Sequence, residues 1–130
     1  NLMRVIHYPP LKAQDHKDEL RAAPHTDINL ITLLVSGSQP GLQVKSKRGD
    51  WIDIKSKKGQ IVINNGDMLQ ECSNKYYPST VHRVINPSSE SNLSRFSIPL
   101  FIHPRPNVVL SNKYTADSYL LERLKSLGLK

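Results

Sequence analysis

Apolar residues recur along this chain in short runs that alternate with polar positions, and turn-forming residues separate the runs. A period of two places every second side chain on one face, the mark of a β-strand rather than a helix. Residues 4–8 (Arg-Val-Ile-His-Tyr) form the first run and stop at Pro9-Pro10, because proline cannot continue a central ladder. Residues 12–21 are largely charged and read as a loop. Residues 28–35 are apolar and β-branched, closed by Ser36-Gly37-Ser38-Gln39-Pro40-Gly41. Residues 42–45 and 51–54 alternate on either side of a turn holding Arg48-Gly49-Asp50, a hairpin pattern. Residues 61–63 run into the turn Asn64-Asn65-Gly66-Asp67, where Gly66 is expected to supply a positive φ. Residues 68–72 read as a further extended segment. Two more strands, 81–85 and 95–101, flank a Ser-rich loop at 86–94.

Only the end of the chain carries a helical period. Leu120, Leu121, Leu124 and Leu127 recur at helical spacing, with Thr115 as N-cap, Asp117 in the first turn and Gly128 as the stop. About seven or eight short strands at this spacing suit a sandwich or barrel. The prediction is a mainly β fold, a double-stranded β-helix (jelly roll) with a C-terminal α-helix. Residues 1–130 are read as one domain, with 1–110 as barrel core and 111–130 as helical extension. The chain begins at Asn1 rather than Met, and a native N-terminal region is expected to be missing from it.

Composition narrows the class. A length of 130 residues with 38% hydrophobic content suits one globular domain. No apolar stretch has the length of a membrane span, and no signal peptide is visible, so a cytoplasmic protein is expected. The lone Cys72 excludes an internal disulfide framework and a thiolate zinc site, and is expected to be buried and inert. The net charge of +7 gathers at Lys45, Lys47, Arg48, Lys55, Lys57 and Lys58. No recognition helix or RNA-binding signature accompanies the cluster, and aromatics are only 6% of the chain. A solvated basic face, or steering of an anionic small molecule, accounts for it better than nucleic acid.

Candidate chemistry begins at Pro24-His25-Thr26-Asp27. Residues two apart on a strand share a face, so His25 and Asp27 can converge on one point. His82, in Ser79-Thr80-Val81-His82-Arg83-Val84, begins a late strand that a jelly roll can bring beside the first. Two His and one carboxylate on one face of an octahedron leave three positions open, as in non-haem Fe(II) oxygenases. Open positions are what O2 and a chelating cosubstrate require. A turn in which Asp27 caps a backbone amide and His25 is a surface residue would produce the same short pattern.

Arg95-Phe96-Ser97-Ile98-Pro99-Leu100 alternates too, with Arg95 and Ser97 on one face and apolar residues on the other. An inward arginine in a barrel is costly unless an anion meets it. Its fork binds a carboxylate through two hydrogen bonds, and a neighbouring hydroxyl adds a third. A buried Arg–Asp pair or a solvent-facing arginine is the competing reading.

Taken in order, Arg-Val-Ile-His-Tyr-Pro-Pro (4–10), Pro-His-Thr-Asp (24–27), Gly-Leu-Gln-Val (41–44), Asn-Gly-Asp (65–67), Ser-Thr-Val-His-Arg-Val (79–84) and Arg-Phe-Ser (95–97) resemble the isopenicillin N synthase-like 2-oxoglutarate/Fe(II) oxygenases. That group includes plant flavonoid and gibberellin oxygenases, and the resemblance spans nearly the whole chain. It implies that His25, Asp27 and His82 ligate Fe(II). It implies that Arg95 and Ser97 hold the distal carboxylate of 2-oxoglutarate, with Tyr8 adding a hydrogen bond. Where the family often has Asn two places before this tyrosine, the chain has Ile6.

The implied reaction uses O2 to oxidise, most simply to hydroxylate, a small organic substrate with release of succinate and CO2. Some relatives use iron and O2 without 2-oxoglutarate, certain of them with ascorbate, and a non-catalytic jelly-roll binding module is the alternative from another class. His7, His16 and His103 are not expected to be ligands. Leu33, Leu42 and Val84 are expected in the barrel core.

Overall fold

The computed structural model describes residues 1–12, 20–35, 38–55, 57, 59–88 and 92–129. Expectations for most of the charged loop with His16, for Ser36-Gly37, for Lys58 and for the middle of the Ser-rich loop lie outside the described residues.

The chain is a double-stranded β-helix of two facing antiparallel sheets. Its elements are β1 (Leu2–Met3), β2 (Ile6–Tyr8), β3 (Ala22–His25), β4 (Ile31–Val35), β5 (Leu42–Lys45), β6 (Trp51–Asp53), β7 (Ile61–Asn65), α1 (Asp67–Cys72), β8 (His82–Val84), β9 (Arg95–Ile102) and α2 (Ala116–Ser126). The larger sheet runs β1-β9-β4-β7 with β2 also paired to β9, and the smaller runs β3-β8-β5-β6. Of residues 4–8 only Ile6–Tyr8 is strand (β2); β1 precedes the predicted run, and both are laid along β9. The hairpin between β5 and β6 closes as the pattern implies. Gly49 takes φ +97, and the Ser46 side chain accepts from the Arg48 and Asp50 amides.

Residues 68–72 are not extended: they belong to α1. The backbone amides of Asp67 and Met68, free at a helix start, donate to the carbonyls of Asp27 and Asn29 at 2.8 and 3.1 Å. A tertiary partner thus stabilises a six-residue helix that is too short to form by itself. Gly66 is required for a reason other than the expected one. Its φ is −103, open to any residue, but a Cβ there would lie 2.1 Å from the Asn29 carbonyl oxygen.

Helix α2 forms as its sequence implies. Thr115 and Ser118 make a reciprocal capping box, and Gly128 follows the helix with φ +71. Its Ala116 joins Met68 and Leu110 in a small apolar core, with Ile28, Leu30, Tyr119 and Leu120 packed around it. That core lies beneath the helices and not between the sheets.

The space between the sheets is lined by the inward residues of each strand. On β4 these are Thr32 and Leu34, so Leu33 points outward, contrary to expectation; Leu42 and Val84 do face inward. Cross-strand register sets Leu33 between Ile63 and Leu100, and Val35 between Ile61 and Ile98. Ile61, Ile63, Val35 and Ile98 are exposed on this outer face. Cys72 is exposed as well, not buried.

Candidate metal centre and anion site

His25 ends β3 and stands directly opposite His82 on β8, so the ladder itself pairs the two imidazoles. Their rings lie 4.3 Å apart, centroid to centroid. Asp27 is two residues past the end of β3, and the ladder shifts register between Ala22 and His25. Convergence of His25 and Asp27 therefore rests on a bulge and the turn after it, not on strand alternation alone. One ligand atom from each of His25, Asp27 and His82 lies within 4.8 Å of the others.

The ring orientations suit a metal. Nδ1 of His25 donates to the Ala23 carbonyl at 2.7 Å, and Nδ1 of His82 to that of Thr80 at 2.9 Å. A carbonyl can only accept, so Nδ1 carries a hydrogen and Nε2 is the atom each ring turns towards the site. Both Nε2 atoms face Asp27 Oδ1, at 4.0 and 3.8 Å. The other oxygen is already engaged: Asp27 Oδ2 accepts from Thr32 Oγ1 at 2.5 Å and from Asn64 Nδ2 at 2.9 Å. Asn29, buried, holds Thr32 in turn by donating from Nδ2 at 2.8 Å. Two imidazole nitrogens and one carboxylate oxygen, each oriented from behind, form a donor set that fits a divalent iron with open positions.

Arg95 and Ser97 enter from β9 on the opposing sheet. Both are buried, Arg95 to 2% exposure, and both line a cavity of about 400 Å³ that also takes in His25, Asp27, His82 and Tyr8. Arg95 Nε donates to the Gln39 carbonyl at 3.1 Å, while Nη1 is buried without a partner. Its guanidinium carbon lies 5.5 Å from the Tyr8 ring centroid. Burial lowers this guanidinium from the usual arginine value, Tyr8 opposes the shift, and the charge of Arg21 adds to it. Tyr8 pairs with Arg95 across the ladder, and Ile6 with Ser97. A buried cation with an idle N–H, facing a metal-type donor set across one cavity, is arranged for an anion that reaches from one to the other.

The chain has counterparts among known proteins. The sequence profile of the 2OG-Fe(II) oxygenase superfamily matches residues 1–104. The chain belongs to that superfamily. It is 39% identical over 109 residues to the 2-oxoglutarate-Fe(II) type oxidoreductase hxnY of Emericella nidulans, covering 82% of this chain and 30% of that protein. A homoarginine-6-hydroxylase of Glycine max is 40% identical over 98 residues, covering 72% of this chain and 30% of the relative. Among solved structures, a full-length Neurospora crassa protein in complex with alpha-KG (2-oxoglutarate) superposes with a TM-score of 0.83 at 33% identity. That match covers 96% of this chain and 44% of the other. This oxygenase chain thus spans about a third of the length of the curated relatives it matches.

Of the residues singled out from sequence, all six cavity candidates meet in one space. His7 does not: it stacks on Phe96 and bonds Ser94 at the surface, and His103 lies beyond β9. Thr32, Asn64, Asn29 and Arg21 escaped the sequence reading. Thr32 is the one polar residue of β4, a signal in itself; Asn64 lies where the sequence pattern predicts a turn.

Proposed function

We propose that the protein is a non-haem Fe(II), 2-oxoglutarate-dependent dioxygenase that hydroxylates a small organic substrate, releasing succinate and CO2. The observation that carries this reading is the convergence of two imidazole nitrogens and one carboxylate oxygen within 4.8 Å, opposite a buried arginine. His25, His82 and Asp27 Oδ1 hold the iron. Arg95 and Ser97 bind the far carboxylate of 2-oxoglutarate, and Tyr8 adds a hydrogen bond. When bound, the iron supplies O2 activation coupled to oxidative decarboxylation of the cosubstrate. The protein's own work is to fix ligand geometry, to orient the cosubstrate and to enclose both between the sheets.

Hydroxylation is favoured by the names of relatives, among them the homoarginine-6-hydroxylase and a feruloyl CoA ortho-hydroxylase. Residues 1–110 act as the barrel and 111–130 as a helical brace. No helix among the described residues is long and apolar enough to cross a membrane. The exposed, unpaired Cys72 suits a reducing cytoplasm.

Under anaerobic conditions, Fe(II) plus 2-oxoglutarate is expected to give a weak visible charge-transfer band. Absence of the band in wild type, or its persistence in His82→Ala, would overturn the assignment. Succinate release under turnover separates this reading from an iron and O2 oxidase that does not use 2-oxoglutarate.

A further inference from the structure

The cavity holds a second guanidinium that neither the metal ligands nor the Arg95–Ser97 pair accounts for. Arg21, just before β3, lines the same space as Arg95, Ser97 and Tyr8. Its Nη2 donates to the carbonyls of Pro9 at 3.2 Å and Leu93 at 2.9 Å. Pro9 adjoins Tyr8 and Leu93 is close in sequence to Arg95, so the side chain is anchored at the Arg95 end rather than the His25 end. Its Nε is buried and unpartnered, as is Nη1 of Arg95. The two guanidinium carbons stand 5.9 and 5.5 Å from the centroid of one ring, that of Tyr8.

Two cations held at one ring repel each other, and burial removes water from Arg95 and from the Nε of Arg21. Burial lowers both guanidiniums from their ordinary value, with Tyr8 opposing in each case. Among the described residues, no carboxylate lies within 4.0 Å of either guanidinium. Asp27, which also lines the cavity, gives one oxygen to Thr32 and Asn64 and turns the other to the histidines. A purely structural strap would need only the Nη2 bonds of Arg21. It would leave unexplained why Nε is kept dry, and why the charge is set against Tyr8 beside another arginine. An incoming carboxylate answers both, since it relieves the repulsion and accepts from the idle N–H groups.

We propose that Arg21 is a second cosubstrate-binding residue, sharing with Arg95 the carboxylate of 2-oxoglutarate that is remote from the metal. The proposal rests on the assignment of Arg95 and Ser97 to that carboxylate. Its consequence is selectivity: two cations favour a 2-oxo acid with a second carboxylate over one whose chain ends in a methyl group.

The test measures anaerobic binding of 2-oxoglutarate and of 2-oxopentanoate to the Fe(II)-loaded protein, by the visible band and by calorimetry. Arg21→Met is expected to weaken 2-oxoglutarate about tenfold and to leave 2-oxopentanoate unchanged. Equal weakening of both acids, or no change in either, overturns the proposal and leaves Arg21 a strap. If Arg21→Met does not fold, Arg21→Lys serves, since it keeps the charge without the planar fork. It is expected to weaken only 2-oxoglutarate, by a smaller factor, and equal effects on both acids again overturn the proposal. Arg95→Met checks the underlying assignment separately: if that variant still discriminates between the two acids as wild type does, the cosubstrate reading itself fails.

Discussion

Thr32 Oγ1 donates to Asp27 Oδ2 at 2.5 Å, and so fixes which oxygen of that carboxylate is left facing the two histidines. With Asn64 on the same oxygen, the group is held for one-point coordination. Thr32→Val keeps the shape of the side chain and removes the donor. It is expected to weaken Fe(II) or Co(II) binding about 10- to 100-fold, the range for partners that orient metal ligands. Asn64→Leu should act in the same direction, and the double variant should show less than the product of the two effects, because both act on one oxygen. Calorimetric metal titration reads all three.

Gly66→Ala tests the contact between α1 and the segment carrying Asp27. The added Cβ meets the carbonyl of Asn29 at 2.1 Å and its Oδ1 at 2.3 Å, so backbone has to move. A loss of about 3 kcal/mol in denaturant unfolding is expected. Metal affinity should fall as well, since Asn29 supports Thr32. Unchanged stability would show that α1 can lift away from Asn29 at little cost.

Arg123 links the terminal helix to α1 by an ion pair with the buried Asp67, at 3.6 Å. Arg123→Met keeps most of the packing length but strands the carboxylate. The expected cost is about 1–3 kcal/mol, measured as a shift in unfolding midpoint. Asp67→Asn combined with Arg123→Met should recover part of it, because no buried charge is then left alone.

Tyr119 lies beside this pair and packs against the small apolar core. Burial first, and then the nearby Asp67, raise its phenol above the ordinary tyrosine value, with Arg123 opposing. The unfolded chain therefore releases this proton first as pH climbs past about 10. The stabilisation is complete below that pH and is lost as pH rises through the folded value. Tyr119→Phe should flatten the fall in thermal midpoint above pH 10, relative to wild type, with little effect at neutral pH.

The strands were legible because alternation is a local property, and helix α2 because its Thr115 cap and leucine repeat lie within neighbouring turns. Helix α1 was not legible. Its amides are satisfied by carbonyls of Asp27 and Asn29, far upstream in the sequence. Gly66 misled for the same kind of reason: a close approach by a distant backbone leaves no trace in neighbouring residues. Leu33 was placed on the wrong face because an almost uniformly apolar strand does not announce which side is inward. Thr32, inward among apolar neighbours, held that answer.

By itself the sequence determined the strand periods, the terminal helix and the residue types able to hold a metal and an anion, since these depend on spacing and side-chain chemistry. Only the tertiary structure decided that His25 faces His82, that Asp27 turns one oxygen to both, and that Arg21 stands with Arg95 at Tyr8. Those are relations between paired strands, and the loops beside them, that lie far apart in the sequence. They are set by register and a bulge, neither of which any single segment encodes.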